Sequence, residues 1–91
     1  MIITQPMEVT VNSNGSAVFN VTTMGGLTYQ WQRNGSDLME RPGKFEGVNT
    51  TELTVLDAQN EDEGSYVCVV TNGAGDSVTS NEAILTIGKN Q

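Results

Sequence analysis

Apolar and polar residues alternate along this chain in short runs, and turn-forming residues interrupt them about every eight to twelve positions, the rhythm of an all-β domain. Alternation with a period of two sends successive side chains to opposite faces of a strand. Met7 to Val11 alternates in this way, and Asn12-Ser13-Asn14-Gly15 then turns the chain. From Ser16 to Thr23, Ala17, Phe19 and Val21 point one way, while Val18, Asn20 and Thr22 point the other. Gly25-Gly26 ends that strand, and Leu27 to Arg33 follows with Leu27, Tyr29 and Trp31 on one face. Asn34-Gly35 is a strong hairpin dipeptide, because both turn positions accept a positive φ.

Farther on, Leu38 and Met39 are expected to form a short edge strand, Arg41-Pro42-Gly43 a loop and Phe45 to Val48 a weak strand. Asn49-Thr50 turns into Thr51 to Leu56, where Leu53 and Val55 alternate inward. Asp57 to Gly64 reads as a polar connection, and Ser65 to Thr71 as a strand with Tyr66, Cys68 and Val70 inward. Asn72-Gly73-Ala74-Gly75 makes a second hairpin turn. One last strand is expected from Ser77 to Ile87, with Ala83, Leu85 and Ile87 on the core side. No apolar period of 3.6 residues lasts two turns, so no long helix is expected.

With 91 residues, the chain is sized for one domain, with a sandwich core expected over about 2–87 and a linker or tail at 88–91. Its hydrophobic content of 36% suffices for a two-layer core, and no stretch reaches the roughly 20 apolar residues of a membrane span. No charged segment followed by an apolar one marks a signal peptide, so a secreted origin implies an excised piece of a longer protein. Four basic residues against eleven acidic ones give a net charge of -7. That balance disfavours nucleic acid and anionic membrane surfaces as partners. The acids are expected mainly as a solvated surface, with one cluster at Glu61-Asp62-Glu63.

The segments "YQWQRNG", "TELTVLDAQNEDEGSYVCVVTNGAG" and "AILTI" resemble an I-set immunoglobulin domain, and the resemblance covers essentially the whole chain. It implies a two-sheet Greek-key immunoglobulin-like β-sandwich. Trp31 would pack between the sheets, with Leu53 in the core, and Tyr66 would bond the backbone just upstream as a tyrosine corner. Asp62, followed by Gly64, would pair with a basic residue at the base of strand D, and Lys44 is favoured over Arg41. One position departs from the family pattern. Val21 stands where the strand B cysteine normally bridges to the position of Cys68. Such a bridge would close a loop of about 48 residues, worth roughly 4 kcal/mol of loop-closure entropy. Cys68 is therefore expected as a buried, poorly reactive thiol.

Catalysis and metal binding find no footing in these residues. A nucleophilic Cys68 needs a base, and the chain contains no histidine. One cysteine without histidine cannot supply a zinc site. Glu61-Asp62-Glu63 lacks the spaced Asp/Asn pattern of a calcium loop, and Gly73-Ala74-Gly75 has a hairpin context instead of a phosphate cradle. The chain reads as no enzyme and as needing no cofactor.

Four sequons begin at Asn14, Asn20, Asn34 and Asn49, three of them in expected turns and Asn20 on an outward strand face. All four are candidate glycan acceptors in a secretory pathway. The missing bridge fits a reducing compartment or a lineage that dispensed with it. The wording of the chain also resembles tandem immunoglobulin-like modules of surface proteins more closely than intracellular muscle-type ones. The expected function is a non-catalytic recognition or adhesion module of a multidomain, extracellular or cell-surface protein. Its partners would be another protein or neighbouring immunoglobulin-like domains, with no membrane insertion by this domain. Candidate binding loops are the B–C loop at Met24, the hairpin at Asn34 and Gly35, and the F–G turn at Asn72 and Gly73. The competing expectation is an architectural spacer without a ligand of its own.

Overall fold

The structure is a computed structural model that describes residues 2–88; of Gly26 and Leu27 it describes the backbone alone. The inward position expected for Leu27 and residues 89–91 of the expected tail lie outside the described residues, while Gly88, where that tail is expected to begin, pairs with Asn12 in the last strand. Among the described residues, eleven strands run in chain order: β1 (Ile2–Thr4), β2 (Val9–Asn12), β3 (Ala17–Asn20), β4 (Thr22–Thr23), β5 (Gly26–Arg33), β6 (Ser36–Asp37), β7 (Phe45–Glu46), β8 (Glu52–Val55), β9 (Gly64–Asn72), β10 (Ser77–Thr79) and β11 (Ala83–Gly88). They form an immunoglobulin-like β-sandwich. One layer has the order β2-β11-β9-β5-β6, with β10 also on β9. The other contains β3-β8-β7, with β4 paired to β1.

The alternation in sequence becomes burial in the sandwich. Ala17, Phe19 and Val21 are buried while Val18, Asn20 and Thr22 are exposed, and Leu53, Val55, Tyr66, Cys68, Val70, Ala83, Leu85 and Ile87 complete the inward rows. Trp31, Val48 and Ala58 close the same core. Every buried side-chain nitrogen or oxygen among the described residues has a hydrogen-bond partner, as a low-dielectric interior requires.

Several expected strands differ in extent; that from Met7 to Val11, for example, runs from Val9 to Asn12. The strand from Ser16 to Thr23 divides at Val21, whose N–H donates to the Thr51 carbonyl at 2.9 Å; beyond it β4 pairs with β1. The edge strand lies at Ser36–Asp37 instead of Leu38-Met39. Asn34 and Gly35 take φ of 51° and 86°, a two-residue turn that starts pairing at once as Arg33↔Ser36 and Gln32↔Asp37. The last strand is broken between Thr79 and Ala83. From Thr79↔Val69 to Ala83↔Tyr66, one strand advances four residues while the other advances three, which is a β-bulge. Ser80 fills it, buried, with its hydroxyl accepting the Cys68 N–H at 2.8 Å and donating to the Asn81 carbonyl at 3.0 Å. The bulge moves the inward row from even-numbered to odd-numbered positions, so Val78 pairs with Val70 while Ala83, Leu85 and Ile87 face the core.

The weak strand at Phe45–Val48 stops at Glu46, because Gly47 adopts φ of 83°. A Cβ there would lie 2.1 Å from the Glu52 carbonyl oxygen, so only glycine fits. The polar connection before β9 contains a 3-10 turn, Asn60–Asp62.

Strand register places the two ends of the described chain at opposite poles. Ile2 pairs with Thr23, next to the β4–β5 turn, and Gly26 pairs with Asn72, next to the β9–β10 turn. Gly88 pairs with Asn12, where the β2–β3 turn begins. The Asn34 N–H bonds the Ser65 carbonyl at 2.8 Å, which puts the β5–β6 turn at that same second pole.

Candidate recognition surfaces

The inward residues form the frame on which any surface is displayed. Trp31, on β5, is fully buried and donates its indole N–H to the Thr50 carbonyl at 2.8 Å; its own backbone N–H bonds the Val48 carbonyl at 2.9 Å. Phe19, from the other sheet, packs 6.3 Å from the Trp31 ring and 4.9 Å from the Tyr66 ring. The Tyr66 hydroxyl donates to the Asp62 carbonyl at 2.6 Å across four residues, the geometry of a tyrosine corner. Burial raises its pKa to about 12.

Asp62 is itself buried. Its carboxylate accepts the Gln59 N–H at 2.8 Å and the Lys44 ammonium at 2.5 Å, and Lys44 also donates to the Asp57 carbonyl at 3.0 Å. Lys44, not Arg41, is the partner. Leu53 is fully buried between Phe19, its cross-strand partner, and the facing sheet. Gly64 adopts φ of 152°, and a Cβ there would meet the Asn34 amide at 2.8 Å.

Cys68 is buried and free, opposite Trp31 on the neighbouring strand. Burial pushes the thiol up to about 11, with a backbone hydrogen bond from Gln30 opposing. A thiol so protonated at neutral pH is a weak nucleophile. Val21 shares its core cluster.

Acidic residues carry more structure than a solvated surface requires. Glu40 accepts the N–H groups of Gly47 at 3.0 Å and Val48 at 3.1 Å, Glu46 that of Gly43 at 3.0 Å, and Glu63 that of Ile87 at 2.7 Å. Arg33 donates to the Glu61 carbonyl. Sequence reading missed Glu40, Glu63 and Ser80. A carboxylate that clamps a distant backbone amide has no local pattern, and a serine between threonines and asparagines has none either.

The loops expected to bind do not converge. Met24, with 66% exposure, and the Asn72–Gly75 turn share one pole, while Asn34 and Gly35 occupy the other. Asn72 is held within its turn, its side-chain oxygen accepting the N–H groups of Ala74 at 2.9 Å and Asp76 at 3.0 Å. Gly73, next to it, is exposed. The four sequon asparagines are all exposed. Asn14 accepts from Gln59 at 2.6 Å, Asn34 from the Ser65 N–H at 2.9 Å, and Asn49 donates to the Tyr29 carbonyl and to Gln30, each at 3.1 Å. The Asn20 side chain makes no such bond among the described residues.

With this geometry in place, the family described as Immunoglobulin I-set domain matches residues 1–87. The chain is an immunoglobulin I-set domain. It is 33% identical over 87 residues to the muscle M-line assembly protein unc-89 of Caenorhabditis elegans, covering 94% of this chain and 1% of that protein. It is 31% identical over 84 residues to Protein sax-3 of the same organism, covering 84% of this chain and 7% of that protein. Titin M4 superposes with a TM-score of 0.79 at 25% identity, covering 97% of this I-set domain and 94% of that chain. The domain thus spans a small fraction of the curated relatives it matches. Immunoglobulin domains are generally non-catalytic binding or structural modules.

Proposed function

We propose that this I-set domain is a non-catalytic recognition module of a larger multidomain protein at the cell surface or outside the cell. The observation that carries the reading is the placement of the chain's two described ends at opposite poles, with Ile2 beside the β4–β5 turn and Gly88 beside the β2–β3 turn. A unit entered at one pole and left at the other joins neighbours end to end and keeps its sheet faces open to partners. The four exposed sequon asparagines support passage through a secretory pathway. The partner is a protein or a neighbouring immunoglobulin-like domain; catalysis, cofactors, nucleic acid and membrane insertion have no part in the proposal.

Secretion of the domain from animal cells, followed by intact-mass measurement with and without glycosidase and by binding of the tetramerised product to cells, tests this reading. Glycan at one or more of Asn14, Asn20, Asn34 and Asn49, together with saturable protein-dependent binding, is expected. A glycan-free product that binds no cell or protein would favour the second reading, an architectural spacer. That reading draws on the unpaired Cys68 and on the likeness to an M-line assembly protein.

A further inference from the structure

The four sequon asparagines differ in what their side chains are doing. A glycosidic bond to asparagine replaces one of the two hydrogens on its amide nitrogen, so a fold that uses both, or packs that nitrogen against backbone, resists it. The Asn49 nitrogen donates to the Tyr29 carbonyl and to the Gln30 side chain, each at 3.1 Å. Asn34 packs against Gly64, where a Cβ would lie 2.9 Å from the Asn34 nitrogen, and its oxygen accepts the Ser65 N–H. Asn14 keeps its nitrogen free, but its oxygen accepts from Gln59 at 2.6 Å, and Asn12 and Ser16, two positions away, are both polar. Asn20 is exposed, and its side chain makes no hydrogen bond among the described residues.

The surroundings of Asn20 point the same way. Residues two apart on a strand share a face, and β3 turns Val18 and Asn20 outward together, with Val18 44% exposed. Thr22, which completes the sequon, is exposed as well. Across the ladder, the half-buried Thr54 stands opposite Val18 and the exposed Glu52 opposite Asn20. Such partners lie about 5 Å apart. One unencumbered amide is thus flanked by an apolar floor, a hydroxyl and a carboxylate. A pyranose ring matches that set, with a C–H face for apolar surface and hydroxyls for polar groups at the rim.

We propose that Asn20 is a built N-glycosylation site, with the first N-acetylhexosamine seated over Val18 and its hydroxyls bonded by Thr54 and Glu52. The proposal deepens the recognition reading and rests on its secretory route. In the forming step the Asn20 nitrogen attacks the anomeric carbon of an oligosaccharyl pyrophosphate donor. The new C–N bond replaces the C–O bond to the pyrophosphate, which leaves with the electron pair, while the nitrogen gives up one proton to base. Val18, Thr54 and Glu52 act after folding, by holding the sugar against the sheet.

The test compares the domain secreted from animal cells with the same chain made in bacteria, which carries no glycan. Glycopeptide mapping is expected to find Asn20 occupied in most molecules and Asn34 and Asn49 in few. Nuclear Overhauser contacts should join the first sugar to the Val18 methyls. The glycosylated form should melt a few degrees higher, and trimming the glycan to its first sugar should keep that gain. Val18→Thr keeps the branch that strands favour and exchanges a methyl for a hydroxyl. It should lower the melting temperature of the glycosylated protein and leave the bacterial one near wild type, a difference that measures the coupling of sugar and side chain. An empty Asn20 overturns the inference. So does an occupied Asn20 whose sugar makes no contact with Val18, or an equal effect of Val18→Thr on both products. Should this variant fail to fold, the wild-type sugar contacts decide alone. Cell binding is read separately: a glycan at Asn20 without binding refutes the recognition reading only, and binding without that glycan refutes this inference only.

Discussion

Phe19 lies nearly parallel to Tyr66, with ring centroids 4.9 Å apart and planes inclined by 17°. The two residues belong to facing sheets, Phe19 on β3 and Tyr66 on β9. With Trp31, on β5 beside β9 in the facing sheet, centred 6.3 Å from Phe19, the three rings tie the layers together where the chain has no disulfide. Aromatic pairs of this kind contribute about 0.5–1.5 kcal/mol beyond the area they bury.

Restoring the missing cysteine should therefore add to a sandwich that already holds. Val21→Cys is expected to bridge to Cys68 under oxidising conditions and raise stability by up to about 4 kcal/mol. Titration of free thiols alongside thermal unfolding, with and without reductant, measures both effects. Two free thiols persisting after oxidation would mean that positions 21 and 68 do not face each other.

Asp62 joins three segments: its carboxylate holds Lys44 and the Gln59 N–H, and its carbonyl accepts the Tyr66 hydroxyl. Asp62→Ala removes the carboxylate from the Gln59 N–H and leaves the Lys44 ammonium with the Asp57 carbonyl alone, at a cost of about 3 kcal/mol. Lys44→Met, whose side chain is partly exposed, should cost less, near 1 to 2 kcal/mol. A double-mutant cycle read by urea unfolding gives the coupling. Additive losses would show that the pair is geometrically close but energetically idle.

High pH should weaken the fold through two buried acids. Cys68 ionises near 9.0 in an exposed setting and at about 11 in the folded chain, and Tyr66 near 10.0 and at about 12. The folded form keeps protons that the unfolded form has lost, so this stabilisation is complete below the unfolded values. It disappears as pH climbs through the window from 9.0 to about 12. Each group accounts for about 2 to 3 kcal/mol across that window. Urea midpoints measured from neutral pH upward should fall there, and Cys68→Ala should shallow the lower part of the decline. A flat profile would contradict the assigned burial of both groups.

Much of this fold was legible in the sequence because burial here follows strict alternation. Tyr66, Cys68 and Val70, or Leu53 and Val55, announce their inward face with no other information. Asn34-Gly35 likewise encodes its own turn, since the required positive φ is a property of those two residues. The bulge at Ser80 was not legible. It depends on a hydroxyl meeting the Cys68 amide twelve residues away, and a continuous strand fits the local pattern equally well. The same limit hid Glu40 and Glu63, whose carboxylates look like solvent-facing charge until the fold brings the amides of Gly47, Val48 and Ile87 to them.

The central claim is that aromatic packing between the sheets does the work of the absent bridge, and equilibrium urea unfolding of Phe19→Ala tests it most directly. Removing a fully buried ring that contacts both Trp31 and Tyr66 should cost about 3–5 kcal/mol, a large part of a small domain's stability. A loss below about 1 kcal/mol would contradict the account and place the cohesion of the two sheets elsewhere.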